Sequence, residues 1–406
     1  LKRLFLIFTL AATPAFAQHE HHTMPMPGMQ SDAAGDFLMA QASGTSHAPG
    51  ADPMTMTMQH YGDWMLMLHG SAFLNATTQT GPRGRDQLFT TNWLMASADR
   101  PLFGGHLMLR TMLSAEPLFM PQRGYTLLFQ TGETAHGRPI VDSQHPHDLF
   151  MELAAEFAVD LGDHTVGYVY AAPVGDPALG PVAYPHRASA QELPQATLAH
   201  HLEDSTHIAN SVLTIGAKSG AFGFGVSGFH GAEPDENRYD IDGGGIDSWS
   251  VRGTWDPSPN MTLQLSTGHL RNPEALEPGD VQRTTASLQH YLALAGGSLA
   301  TSVIWGHNHA HGHGTNAFTA EANWKFRTSN YLTGRMEVVD KDELGDDRLH
   351  TIRALTVGYT KDVFRTAHLL GGVGGNVTVY GVPSSLRATY GSPTSWLAFV
   401  RVRSAS

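Results

Sequence analysis

The chain of 406 residues contains no cysteine. Its fold therefore draws nothing from disulfides, and any metal it binds is held without thiolate. Beyond its first segment it has no apolar run of about eighteen residues, which excludes a helical membrane span. Charged side chains make up only 15%, and 37 acidic residues outnumber 25 basic ones. No basic surface of the kind that binds nucleic acid stands out. GxSxG, HExxH and GKS are also missing, so the short signatures of serine hydrolases, zinc peptidases and phosphate-binding loops do not apply.

What is present divides the chain into three parts. Residues 1–17, LKRLFLIFTLAATPAFA, place Lys2 and Arg3 before a short apolar stretch and end on Ala15-Phe16-Ala17. That order predicts a secretory signal peptide cleaved near Gln18. Residues 18–62 are rich in His, Met, Pro, Gly and Ser and poor in aliphatic side chains. Such a segment has too little apolar surface to fold alone, and the expectation is a disordered periplasmic tail. From residue 63 to 406 the texture changes to long segments that alternate polar and apolar.

The alternation is plainest at residues 315–341. Glu321, Asn323 and Lys325 share one face, and Ala320, Ala322, Trp324 and Phe326 share the other. After the turn RTSN, Leu332, Met336 and Val338 oppose Thr333, Arg335 and Glu337. A period of two marks strands in a hairpin. The same unit repeats along the chain and predicts an all-β fold: a transmembrane antiparallel β-barrel of about sixteen strands, within a range of fourteen to eighteen. Connections alternate between short turns and long loops, expected to be periplasmic and extracellular respectively. The last strand, SWLAFVRVR, ends almost at the C-terminus, as a closing strand should. The implied location is the outer membrane of a Gram-negative-type bacterium, with its lipid as the main partner and the protein a monomer or trimer.

Strand parity assigns the polar face to the lumen. It predicts His106, Arg110, Asp148, Glu152, Glu156, Arg252, Glu321, Lys325, Arg335 and Glu337 as lumen-lining residues, with Thr90 and Asn92 facing the same way. Aromatics such as Trp64, Tyr331, Tyr359 and Trp396 are candidates for interface belts. The second and third long loops are the candidates for a constriction. One ends in VDSQHPHD and carries His145 and His147; the other ends in HHLEDSTH and carries His200, His201 and His207. These histidines are candidate metal ligands, provided that both loops fold inward.

The tail is a second candidate. His19, His21 and His22 precede Met24, Met26 and Met29, and seven of the sixteen methionines lie between residues 24 and 58. Thioethers suit Cu(I), and imidazoles suit Cu(II) and Zn(II), so copper or zinc is the ion implied, with no other cofactor. The octapeptide HNHAHGHG, residues 307–314, is read as an outer hairpin. Its His307 and His309 follow the lipid-facing Val303 and Trp305 rather than the lumen.

The tail HEHHTMPMPGM resembles the His/Met-rich leaders of outer-membrane copper-resistance proteins. The segments QLFTTNW, LLFQTGETAHGRPIVDSQHPHDLFMELA and ENRYDIDGGGIDSWS resemble a set of bacterial outer-membrane proteins with no assigned activity. Together these imply a porin-like passive channel with a role in copper handling or resistance, working with periplasmic metal-handling or efflux proteins. The alternatives are an outer-membrane hydrolase, for which Ser205, His207 and Asp204 are adjacent, and a structural or adhesive barrel without an open pore.

Overall fold

The computed structural model describes residues 32–162, 164–345 and 348–405. The expected signal segment and the candidate ligands His19, His21, His22, Met24, Met26 and Met29 lie outside the described residues. Among those described, no helix is long and apolar enough to cross a membrane.

Sixteen long strands close into one antiparallel barrel. In chain order they are β1 (Trp64–Gln79), β2 (Gln87–Leu102), β3 (Gly105–Leu113), β4 (Phe150–Gly162), β5 (Thr165–Gly175), β6 (Ala209–Ser219), β7 (Phe222–His230) and β8 (Ser248–Ser258). Then follow β9 (Met261–Leu270), β10 (Val281–Leu294), β11 (Gly297–Ala310), β12 (His313–Phe326), β13 (Asn330–Lys341), β14 (His350–Arg365), β15 (Leu369–Gly381) and β16 (Thr394–Ser404). Each pairs with its neighbours, and β16 closes on β1 from Ser395 opposite Gln79 to Arg403 opposite Ser71. Closure matters because an unpaired strand edge in lipid leaves main-chain polar groups without partners.

Apolar side chains line the outer face: Val303, Phe318, Met336, Leu355 and Val357 are all exposed. On a soluble protein such a belt would be an aggregation surface; around a closed barrel it is the lipid contact of an outer-membrane protein. Turns at one end are as short as Phe103–Gly104 and Ala221 with Gly220, whereas residues 114–149 and 176–208 connect strands at the other. Short periplasmic turns and long extracellular loops follow, with one exception: β11 and β12 meet at the outer end through His311 and Gly312 alone.

Residues 32–62 correct the expectation of a disordered tail. Asp32 caps a helix over Ala33–Met39, its carboxylate accepting from the Gly35 main chain. The segment then enters the lumen and is held there by residues of the wall and by Asp176 at the start of the 176–208 loop. Arg110 donates to the Gly44 carbonyl (2.7 Å) and to Gln41 Oε1 (2.6 Å), and Arg252 donates to Thr45 Oγ1 (2.7 Å). Ser43 donates to Asp176, His47 meets Asp256, and the Ala51 amide donates to the Pro259 carbonyl. Polar contacts to a pre-existing wall supply what an apolar core of its own would have. The strap ends as a short strand, Thr57–Tyr61, which pairs with the lower part of β1, from Thr57 opposite Leu68 to Tyr61 opposite Trp64.

Candidate functional site

Two long loops fold into the barrel from the outer side. Residues 114–149 form an inner hairpin, Tyr125–Ala135 with Arg138–Gln144. Its Tyr125, Leu127, Leu128 and Phe129 are buried in one apolar cluster with Phe73 and Phe89 of the wall. Phe89 and Tyr125 stack with centroids 4.3 Å apart. This packing reverses the parity expected for β2. Phe89, Thr91 and Met95 are buried inside, while Leu88 and Leu94 are exposed and Thr90 and Asn92 share their outer face.

Residues 176–208 are pinned by charge. Arg187 is fully buried between Asp204 (2.6 Å) and Glu321 (3.0 Å), and Arg335 donates to the other Glu321 oxygen (2.9 Å). Glu192 meets Arg401 and Arg403, and Gln195 donates to Asn376. Charges this deep are stable only when paired and hydrogen-bonded, so these pairs fix the loop in one place.

The two loops meet at a group of histidines. His145, His200 and His201 are buried, and each offers a ligand nitrogen within 4.8 Å of the others. Their ring centroids are 5.2 to 6.3 Å apart. Two imidazoles on one zinc or copper ion, each nitrogen about 2 Å from it, place the centroids roughly 5–6 Å apart. The outer shell also fits a metal. His200 Nδ1 donates to Asp204 Oδ1 at 2.7 Å, and His145 Nδ1 donates to the Pro146 carbonyl at 3.1 Å. These contacts fix both tautomers and leave the unprotonated Nε2 with its lone pair for a metal, the usual arrangement behind a metal-binding histidine. His201 Nδ1 lies 3.4 Å from Glu233 Oε1, and its buried Nε2 has no hydrogen-bond partner. His145 Nε2 lies 3.0 Å from Glu133 Oε1, a candidate fourth ligand. On its other side His201 forms a second potential ligand group with Glu233 and Glu274.

Burial keeps His145 and His200 neutral. Burial, reinforced by Arg238 and neighbouring histidines, pushes His145 well below the ordinary imidazole value. Burial lowers His200 to about 4 even against Asp204, and lowers His207 to about 3. Burial would raise Asp204, but Arg187 and His200 prevail and hold it well below the usual carboxylate range. Glu133 is pushed up to about 7 by burial, against the pull of Arg238. Neutral imidazoles beside carboxylates are ligands ready for a cation.

The remaining candidates fall nearby. His207 donates Nδ1–H to the Asp204 carbonyl (2.8 Å), and its ring lies 5.3 Å from His200 and 5.5 Å from His147. His147 meets Glu116 at 3.1 Å, and that carboxylate overcomes burial and raises it. Among the lumen-lining residues, His106 binds Asp99, and Glu152 and Glu156 flank Arg110. Glu337 accepts from the Leu198 amide. Lys325 is half-buried over the Tyr331 ring, and Asp148 precedes β4 in a pair with Arg238. Tyr331 is not in an outer belt: it is buried, donating to Asp362 and accepting from Arg403.

Ser205, His207 and Asp204 do not form a catalytic array. Ser205 Oγ accepts from Arg283, and His207 is turned to a main-chain carbonyl. In the octapeptide, His307 binds Asn316 and His313 binds Asp342, so these two imidazoles are engaged separately at the outer rim. Sequence spacing gave no signal for His69, Met95 and His186, which stand singly in distant segments yet lie close together in the lumen.

No protein-family model matches the chain, and neither does any curated protein. Solved porin structures do match. OmpF of Salmonella typhi, in complex with daunomycin, aligns at TM-score 0.53 and 8% identity, over 86% of this chain and 100% of that one. OprB of Pseudomonas putida aligns at TM-score 0.54 and 10% identity, over 85% and 94%. An anion-selective porin from Comamonas acidovorans aligns at TM-score 0.50 and 12% identity, over 84% and 100%. At these identities the likeness concerns the fold.

Proposed function

We propose that this porin-like barrel takes up a transition-metal ion, copper or zinc, within its lumen, at His145, His200 and His201. One observation carries the reading: two loops distant in sequence deliver three buried imidazoles to a common point, with two of them anchored through Nδ1. Ordinary loop anchoring does not account for His201 Nε2, which is buried without a hydrogen-bond partner. The inner hairpin, the pinned loop and the strap occupy much of the lumen, which favours selective passage or sequestration over a wide passive pore. In this reading residues 18–31 are a copper collector on the periplasmic side, where metal-handling proteins would meet it. The role is binding and passage, not catalysis.

Calorimetric titration of the purified protein with Zn(II), alongside His145→Gln and His201→Gln, tests the proposal. A high-affinity event should be present in the parent and lost in both variants. Identical isotherms in all three would sink it.

A further inference from the structure

A cavity of about 100 Å³ lies in the lumen. Asp52 and Met54 of the strap line it, together with His69, Trp93, His147 and His186. On its β1–β2 wall, His69 and Met95 are directly opposed across the two strands. His69 Nε2 lies 3.1 Å from Met95 Sδ. The His186 ring is 6.5 Å from His69 and 4.3 Å from Trp93, and its Nε2 is buried without a hydrogen-bond partner.

Inward methionines recur on this wall, at Met65, Met67, Met108 and Met112, so the thioether alone is not the signal. Met95 packs with Met112, Met151, Val174 and Ile208, a role that leucine would fill as well. Packing does not account for the sulfur facing an imidazole nitrogen while a second imidazole nitrogen nearby has no partner. A thioether and two imidazoles form a softer ligand set than the outer cluster of imidazoles and carboxylates, and they suit a monovalent d¹⁰ ion. The geometry points to a second metal site, formed by His69, Met95 and His186, that takes Cu(I). It extends the metal reading of the lumen without depending on the outer cluster. His147 lines the same cavity and its ring lies 5.5 Å from His207, so imidazoles connect the two sites.

Silver(I) is the probe. Crystals of the protein soaked in a silver salt should show an anomalous peak within bonding distance of Met95 Sδ and His69 Nε2. Met95→Leu, which keeps the packing, should abolish that peak. It should also lower Ag(I) affinity roughly tenfold or more, the loss that even an outer-shell partner produces. Unchanged mobility of the unheated protein on a denaturing gel shows that the variant is folded. His145→Gln should leave the silver peak in place. Silver absent from the β1–β2 wall, or a peak that persists in Met95→Leu, would overturn the assignment. Loss of zinc at the outer cluster with silver retained here would count against the outer site alone.

Discussion

His200 and Asp204 lie one turn apart, and the imidazole Nδ1–H is donated to the carboxylate at 2.7 Å. The other Asp204 oxygen accepts from Arg187 and from the Tyr184 amide. One carboxylate therefore orients a candidate ligand and anchors the loop that carries it. Asp204→Asn keeps an acceptor but loses the charge. Zn(II) affinity should fall about 10- to 100-fold, as for other outer-shell partners, when measured by competition with a chelator of known affinity.

Arg187 tests the anchor itself. Arg187→Ala leaves Asp204 buried without its guanidinium and removes one of the two guanidiniums that flank Glu321. Breaking a buried pair from one side costs about 3–5 kcal/mol, so the loop should detach before the barrel unfolds. Planar-bilayer recordings should show a higher conductance than the parent; equal conductance would mean that the loop does not limit the lumen.

Metal binding should resist acid. An ordinary imidazole takes a proton near pH 6.5, and burial holds His200 neutral down to about 4 and His145 well below its usual value. Zinc should therefore remain bound at about pH 5.5, where a model imidazole site would be largely protonated. The linkage has the same sign. Because the folded rings bind protons later than the unfolded ones, their contribution to stability is complete above about pH 6.5 and is lost as pH falls toward 4. Zinc titrations at successive pH values, with denaturant unfolding at each, measure both.

The outer face predicts a depth dependence. Val303 lies mid-strand on β11, and His309 lies near its outer end on the same face. Val303→Arg should destabilise the barrel by about 2–4 kcal/mol and His309→Arg by only about 0–1 kcal/mol. Equal costs in lipid-vesicle unfolding would misplace the membrane boundary.

The barrel was legible because strands with one wet and one lipid face carry a period of two, as in β12 and β13. Where that contrast fails, so does the reading. On β2 Phe89 packs against the inner hairpin and Met95 against Met112, Met151, Val174 and Ile208, so both point inward and parity misleads. Met151, with an alternation that also points to lipid, is buried beside a register shift between Met112 and Leu113. Residues 32–62 carry no periodicity because their partners, Arg110, Arg252 and Asp176, belong to the wall and to the 176–208 loop. The histidines of the outer cluster stood out because they are clustered in sequence. Which nitrogens converge depends on loop closure, which local spacing does not encode.

The strap has a mechanical consequence. Below Ser71, β1 pairs with Thr57–Tyr61, whereas β16 pairs with it only from Ser71 upward. The segment that enters the lumen and the segment that completes the closing seam are thus one continuous piece of backbone. A pull that drew the strap out of the lumen would peel that seam and expose main-chain groups at the membrane edge, which lipid does not tolerate. The periplasmic side is therefore latched to the integrity of the wall, and any reversible widening of the passage must begin with the outer loops.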